Sequence, residues 1–126
     1  MNDTKAKVKF GRQGEDLACA YLEALGYTVL SRNYKVRGGE VDIILSHGNC
    51  VVFAEVKTRH GANCGNAAEA VDSKKIQRLC TAAERYLYEK AEDLAVKDRS
   101  VRFDVVEVYI NSQETQINHI KSIDIN

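Results

Sequence analysis

Two short apolar runs, VDIIL (41–45) and CVVFAEV (50–56), flank the four residues Ser46-His47-Gly48-Asn49. Each run is too short for a core helix and rich in β-branched residues, so each predicts a buried strand, and the Gly/Asn-containing link predicts a turn between them. This hairpin constrains the chain more than any other feature, because it carries charges where a buried strand should have none. Asp42 lies in the first run, Glu55 in the second and Lys57 directly after it, within strands predicted over 35–45 and 50–58. Such groups are rarely buried without a partner.

Alternation along a strand puts Phe53, Glu55 and Lys57 on one face and Val52, Ala54 and Val56 on the other. A turn of even length brings Asp42 to the face of Glu55 and Lys57. With residue 45 opposite 50 and 42 opposite 53, Asp42 and Glu55 become diagonal neighbours. Two carboxylates converging there repel each other, and a hard divalent cation relieves the repulsion. Mg²⁺ or Mn²⁺ takes oxygen ligands, often one or two carboxylates with waters or phosphate oxygens. A metal so held activates water and polarises a phosphoryl oxygen, and a lysine on the same face can position that water or offset developing charge. The pattern suits phosphodiester hydrolysis. A strand-end ion pair of Lys57 with Asp42 or Glu55 is the alternative that the hairpin alone leaves open.

The remainder reads as follows. GRQGEDLACAYLEAL (11–25) predicts a helix with Leu17, Ala18, Tyr21, Leu22 and Leu25 inward and Gly26 just past its end, preceded by frayed residues 1–9. YTVLSRN (27–33) predicts a strand, and Gly38-Gly39 a bulge opening the next one. HGANCGNAA (60–68) predicts a mobile loop carrying Cys64. Ser73 is expected to cap a helix running to about 90, with Ile76, Leu79, Cys80, Ala83, Tyr86 and Leu87 inward. VRFDVVEVYI (101–110) and NHIKSI (118–123) predict two more strands, with Asp104 held by Arg102 or a neighbour. The order α-β-β-β-α-β-β predicts a mixed central sheet flanked by helices, in the α/β class. The 126 residues suit a single domain, 1–126.

Eighteen Lys/Arg balance eighteen Asp/Glu, which excludes a globally basic nucleic-acid binder. Local basic clusters remain: Lys5, Lys7, Lys9 and Arg12; Arg32, Lys35 and Arg37; Lys57 and Arg59; Lys74, Lys75 and Arg78. Arg59 shares the face of Lys57 and can grip a phosphate. His60 and His47 read as loop and turn residues. The four cysteines have no CxxC spacing, so a zinc site is not expected. No segment has the length of a membrane span or the apolar core of a signal peptide, and a reduced, cytoplasmic protein without membrane contact is expected.

Asp42, then twelve residues, then Glu55-Val56-Lys57 resembles the PD-(D/E)xK nuclease superfamily. A longer set is more specific: GxxGEDLAxxYLxxxGYxxLxRN (11–33), GGEVDII (38–44), VVFAEVKTR (51–59), AxEAVDxxK (67–75) and RFDVV (102–106). These motifs span residues 11–110 and resemble the YraN family of small bacterial proteins, regarded as restriction-endonuclease-like. The resemblance implies a restriction-endonuclease-like core. It implies Asp42 and Glu55 as metal ligands with the Val56 backbone carbonyl as a third, Lys57 as catalytic lysine, and Glu15 as a further ligand or water-orienting acid. Lys74 and Gln77 correspond to polar residues that resolvase-like relatives place beside the site; with Arg37 and Arg59 they are the expected nucleic-acid contacts. The expected partner is nucleic acid, DNA first, with branched or structured DNA as substrate and a homodimer where two strands are cut. A binding module with the same fold and no cleavage is the alternative function, and an assembly protein with structural hairpin charges a third.

Overall fold

The computed structural model describes residues 3–60 and 72–125. Seven elements follow in order: α1 (Asp3–Ala24), β1 (Thr28–Val36), β2 (Gly39–His47), β3 (Cys50–His60), α2 (Ser73–Glu89), β4 (Ser100–Ile110) and β5 (Thr115–Ile120). This is the expected α-β-β-β-α-β-β order. The strands form one mixed sheet in the order β1-β2-β3-β4-β5. All neighbours are antiparallel except β3 and β4, which run parallel across the α2 connection.

Each helix covers one face. Ala18, Cys19 and Leu22 of α1 pack on Ile43, Leu45, Val52, Ala54, Val106 and Val108. Leu79, Ala82, Ala83 and Tyr86 of α2 pack on Val41, Ile44, Val51 and Phe53. Complete burial of a side chain such as Leu79 contributes roughly 1.5–3 kcal/mol. The middle strands are apolar on both faces because both faces are covered.

Several local expectations change. Helix α1 begins at Asp3, eight residues before Gly11, so the basic N-terminal residues are helical rather than frayed. Its inward stripe is narrower than expected: Tyr21 and Leu25 are exposed. Asp72, not Ser73, caps α2, its carboxylate accepting the Lys75 N–H at 2.9 Å; Ser73 is the first helical residue. His47 ends β2 and stacks on Tyr27 at 4.0 Å instead of sitting in the turn, and His60 ends β3 and stacks on Phe10 at 4.0 Å. The Gly/Asn-rich stretch after His60, with Cys64, lies outside the described residues. Among those described, no helix is long and apolar enough to cross a membrane.

The glycine pair does not form a bulge. Arg37-Gly38 is a two-residue hairpin turn between the paired residues Val36 and Gly39, with Gly38 at φ 81°, the positive value that a type II turn needs at its second central residue. The irregularity lies instead in β1, between Val29 and Ser31. Gly39 has a different task. A Cβ there would lie 2.6 Å from the Arg78 carbonyl oxygen and 2.7 Å from the Ala82 nitrogen, both backbone atoms of α2. Gly39→Ala is therefore expected to cost about 1–3 kcal/mol by prising α2 off the sheet. Urea denaturation measures this; an unchanged midpoint would show that the helix is not pressed on the strand.

Candidate metal-dependent active site

The β2–β3 link has two residues, Gly48-Asn49, between paired His47 and Cys50. The turn is even, as expected, but the register differs from the expected one by two. Leu45 pairs with Val52 and Ile43 with Ala54, and the regular pairing ends there, one residue short of Asp42.

The strand also twists at Asp42. Ile43 packs in the α1 cluster, whereas Val41, two residues away, packs in the α2 cluster. Across the sheet the pairs Arg32–Ile43 and Tyr34–Val41 flank Asn33, whose φ is 52°, a conformation that Asn tolerates better than most residues. The twist frees Asp42 from the regular ladder. Its Oδ2 accepts the backbone N–H of Val56 at 2.7 Å, which fixes the carboxylate against the Glu55-Val56-Lys57 segment.

A cleft of about 370 Å³ brings together Glu15, Asp42, Glu55, Val56 and Lys57, with Lys7, Phe10, Gly11, Thr58 and Lys75 around them. Helix α1 comes this close because of Gly14, where a Cβ would lie 1.9 Å from Thr58 Oγ1. Glu15 follows directly. Its Oε1 is buried without a hydrogen bond, and Arg32 Nη2 stands 3.7 Å away.

The electrostatics show what the cleft lacks. Burial, then the Glu55 charge, lift the Asp42 carboxyl from 3.8 to about 7, against the Val56 hydrogen bond. Both nearby lysines lie against Glu55 Oε1, Lys57 at 3.6 Å and Lys75 at 3.4 Å. Burial and the Lys75 charge push the Lys57 ammonium below its ordinary value. Burial also acts against the Lys75 charge, but Lys57 and Glu55 outweigh it and hold Lys75 above its ordinary value.

Among the described residues no three His, Cys, Asp or Glu side chains form a metal cage. The cleft instead offers the carboxylates of Asp42, Glu55 and Glu15, oxygen donors of the kind Mg²⁺ takes in ones and twos with water or phosphate in its other positions. Asp42, raised by burial and then by its neighbour's charge, and the unsatisfied Glu15 oxygen both fit a divalent cation in the cleft.

The other sequence candidates lie elsewhere. Arg37 is in the β1–β2 turn, beside Lys35, Thr81, Arg85 and Glu89. Lys74 and Gln77 are exposed on α2 and do not line the cleft. Arg59 is half-buried beside Glu107. Sequence reasoning missed Lys75, which had no signal separating it from Lys74; one residue is about 100° of helix rotation. It also missed Lys7 and Phe10, which line the cleft only because α1 starts early.

Residues 14–108 match the sequence model of a family described as uncharacterised protein family UPF0102. A UPF0102 protein of Parafrankia sp. (strain EAN1pec) is 43% identical over 105 residues, covering 83% of this chain and 86% of the relative. One from Mycolicibacterium vanbaalenii is 40% identical over 124 residues, covering 98% and 99%. One from Pseudomonas aeruginosa (strain LESB58) is 41% identical over 108 residues, covering 86% and 84%. With most of its length matched, and with the motifs that resemble YraN proteins inside that match, the chain belongs to the UPF0102 family.

Proposed function

We propose that this protein is a Mg²⁺- or Mn²⁺-dependent nuclease that hydrolyses phosphodiester bonds of DNA, with branched or structured DNA as substrate. One observation carries the reading: Asp42, Glu55, Val56, Lys57 and Glu15, from three elements, line one cleft. The element order is that expected for a restriction-endonuclease-like core. Asp42, Glu55 and the Val56 carbonyl would hold the metal, with Glu15 beside them. The bound metal would polarise the phosphoryl oxygen and lower the pKa of a water.

The protein's own groups do the rest. The Val56 N–H fixes the direction of the Asp42 carboxylate. Lys57, with its proton loosened by burial and by Lys75, holds and orients the attacking water. Lys75 keeps its charge and offsets the negative charge that grows on the phosphate.

The test is a cleavage panel of linear, nicked, flapped and four-way DNA with Mg²⁺ and with Mn²⁺. Lys57→Ala is expected to lower the rate by about 10²–10³-fold. Equal cleavage by parent and variant would overturn the mechanism. The same panel separates a binding module from a nuclease. The position of both lysines on Glu55 Oε1, an oxygen the metal needs, favours that second reading, and salt-sensitive binding without metal-dependent cleavage of any substrate would establish it.

A further inference from the structure

Two arginine–carboxylate pairs stand on the sheet, and they are built differently. Arg102 closes on Asp104 through Nε and Nη2, both at 2.9 Å. Arg59 does not close on Glu107. Its Nε stands 3.5 Å from Glu107 Oε2, and neither atom has a hydrogen-bond partner among the described residues. Glu107 is nevertheless fully buried. Its other oxygen, Oε1, accepts from Asn118 Nδ2 at 3.0 Å. A carboxylate wholly out of water, with one oxygen satisfied only by a loose cation, is a costly arrangement to keep for stability alone.

Its placement explains what it can do. Glu107 pairs with Lys57 in the parallel register and with Asn118 in the antiparallel one, so the three share a face. Arg59 lies two residues beyond Lys57 on that face, about 6.6 Å along the strand, a step on the scale of neighbouring phosphates of one nucleic-acid strand. The Arg59 side chain is 39% exposed although its Nε is buried. The exposed part is therefore away from Nε.

We propose that Arg59 is a second phosphate site, one nucleotide from the cut, with the terminal Nη donors as the exposed part of its side chain, and that Glu107, anchored by Asn118, is the positioning residue that turns the guanidinium side-on and leaves its fork open. This rests on the nuclease reading. It adds how the strand is held next to the reacting phosphate.

The test is binding without added metal, so that cleavage plays no part. Affinity of the full chain for a fluorescent four-way or flapped DNA is measured across a salt series. Arg59→Ala is expected to weaken binding several-fold and to make the slope of log K against log salt shallower by about 0.7–0.9, one phosphate contact. Arg59→Lys keeps the charge and should retain the slope while binding less tightly. Glu107→Gln is near-isosteric, and thermal melting checks that it folds. Removing a negative charge should by itself tighten DNA binding; loss of positioning predicts the reverse, several-fold weaker binding with the shallower slope. An unchanged slope in Arg59→Ala overturns the phosphate site. Tighter or unchanged binding in Glu107→Gln overturns the positioning role. Failure of the parent to bind DNA at low salt overturns this inference, while the nuclease reading stands or falls on the metal-dependent cleavage panel. Binding without cleavage leaves the phosphate site standing.

Discussion

Asp42→Asn is expected to abolish metal-dependent cleavage and, at the same time, to make the protein more stable at pH 8. The two effects share a cause. The Asp42 carboxyl is lifted from 3.8 to about 7 by burial and by Glu55, so above neutral pH the fold holds a charge that its surroundings oppose. A lift of that size corresponds to at most about 4 kcal/mol. The amide keeps an oxygen for the Val56 N–H and loses the charge, so a gain of about 2 kcal/mol is expected. The sign follows from the direction of the lift. A raised carboxyl costs nothing below the unfolded value near 4, and the penalty grows until the folded value near 7 is passed. The advantage of the variant should therefore be absent at pH 4 and complete by pH 8. Added Mn²⁺ should raise the melting temperature of the parent and not that of the variant. Denaturant midpoints across pH, with cleavage of the best panel substrate, check both effects. A variant that cleaves normally, or that is destabilised at pH 8, would sink the assignment of Asp42 as a strained ligand.

The second large effect belongs to stability, far along the sheet. Asp104→Ala is expected to cost about 3–5 kcal/mol, the scale of breaking a buried charge network and a large part of the 5–15 kcal/mol typical of a domain. Asp104 is fully buried. It accepts Arg102 at both oxygens and the Ser122 N–H at 3.0 Å, and His119 Nε2 lies 2.7 Å from Oδ2. Arg102 also donates to the Tyr27 hydroxyl at 2.8 Å, so the network ties the α1–β1 link and the segment after β5 to β4. Burial pushes the Asp104 carboxyl up, but the bonds from His119, Arg102 and Ser122 outweigh it and hold it below its ordinary value. A depressed carboxyl stabilises the fold above the unfolded value near 4 and ceases to do so as pH falls through the folded value. The gap between parent and variant should thus be full at pH 7 and shrink below about pH 4. Urea midpoints at pH 7 and pH 3 measure it; a loss under 1 kcal/mol at pH 7 would show that the network is dispensable.

Much of this was legible in the residues. The period of two in VVFAEVK assigns Glu55 and Lys57 to one face, and any even turn adds Asp42. The ion pair of Asp104 with Arg102 also follows from a carboxylate two residues from an arginine in an otherwise largely apolar strand. Glu107 was not legible. In VRFDVVEVYI it stands out of phase with Arg102 and Asp104 and carries no signal of its own, and only the crossover to a parallel neighbour puts it beside Arg59. The hairpin register escaped for a related reason. Four turn-forming residues allow several even turns, and the choice of Gly48-Asn49 depends on how far the strands gain by pairing.

The sequence by itself determined which elements form, in what order, and which hairpin residues share a face, because those follow from local periodicity and turn chemistry. The tertiary structure decided the distances that make chemistry: Asp42 against Val56, Lys75 rather than Lys74 on Glu55, Glu15 brought in over Gly14, and Glu107 beneath Arg59. Those depend on where helices rest on the sheet and on the twist at Asp42, which are set by packing between residues far apart in the chain.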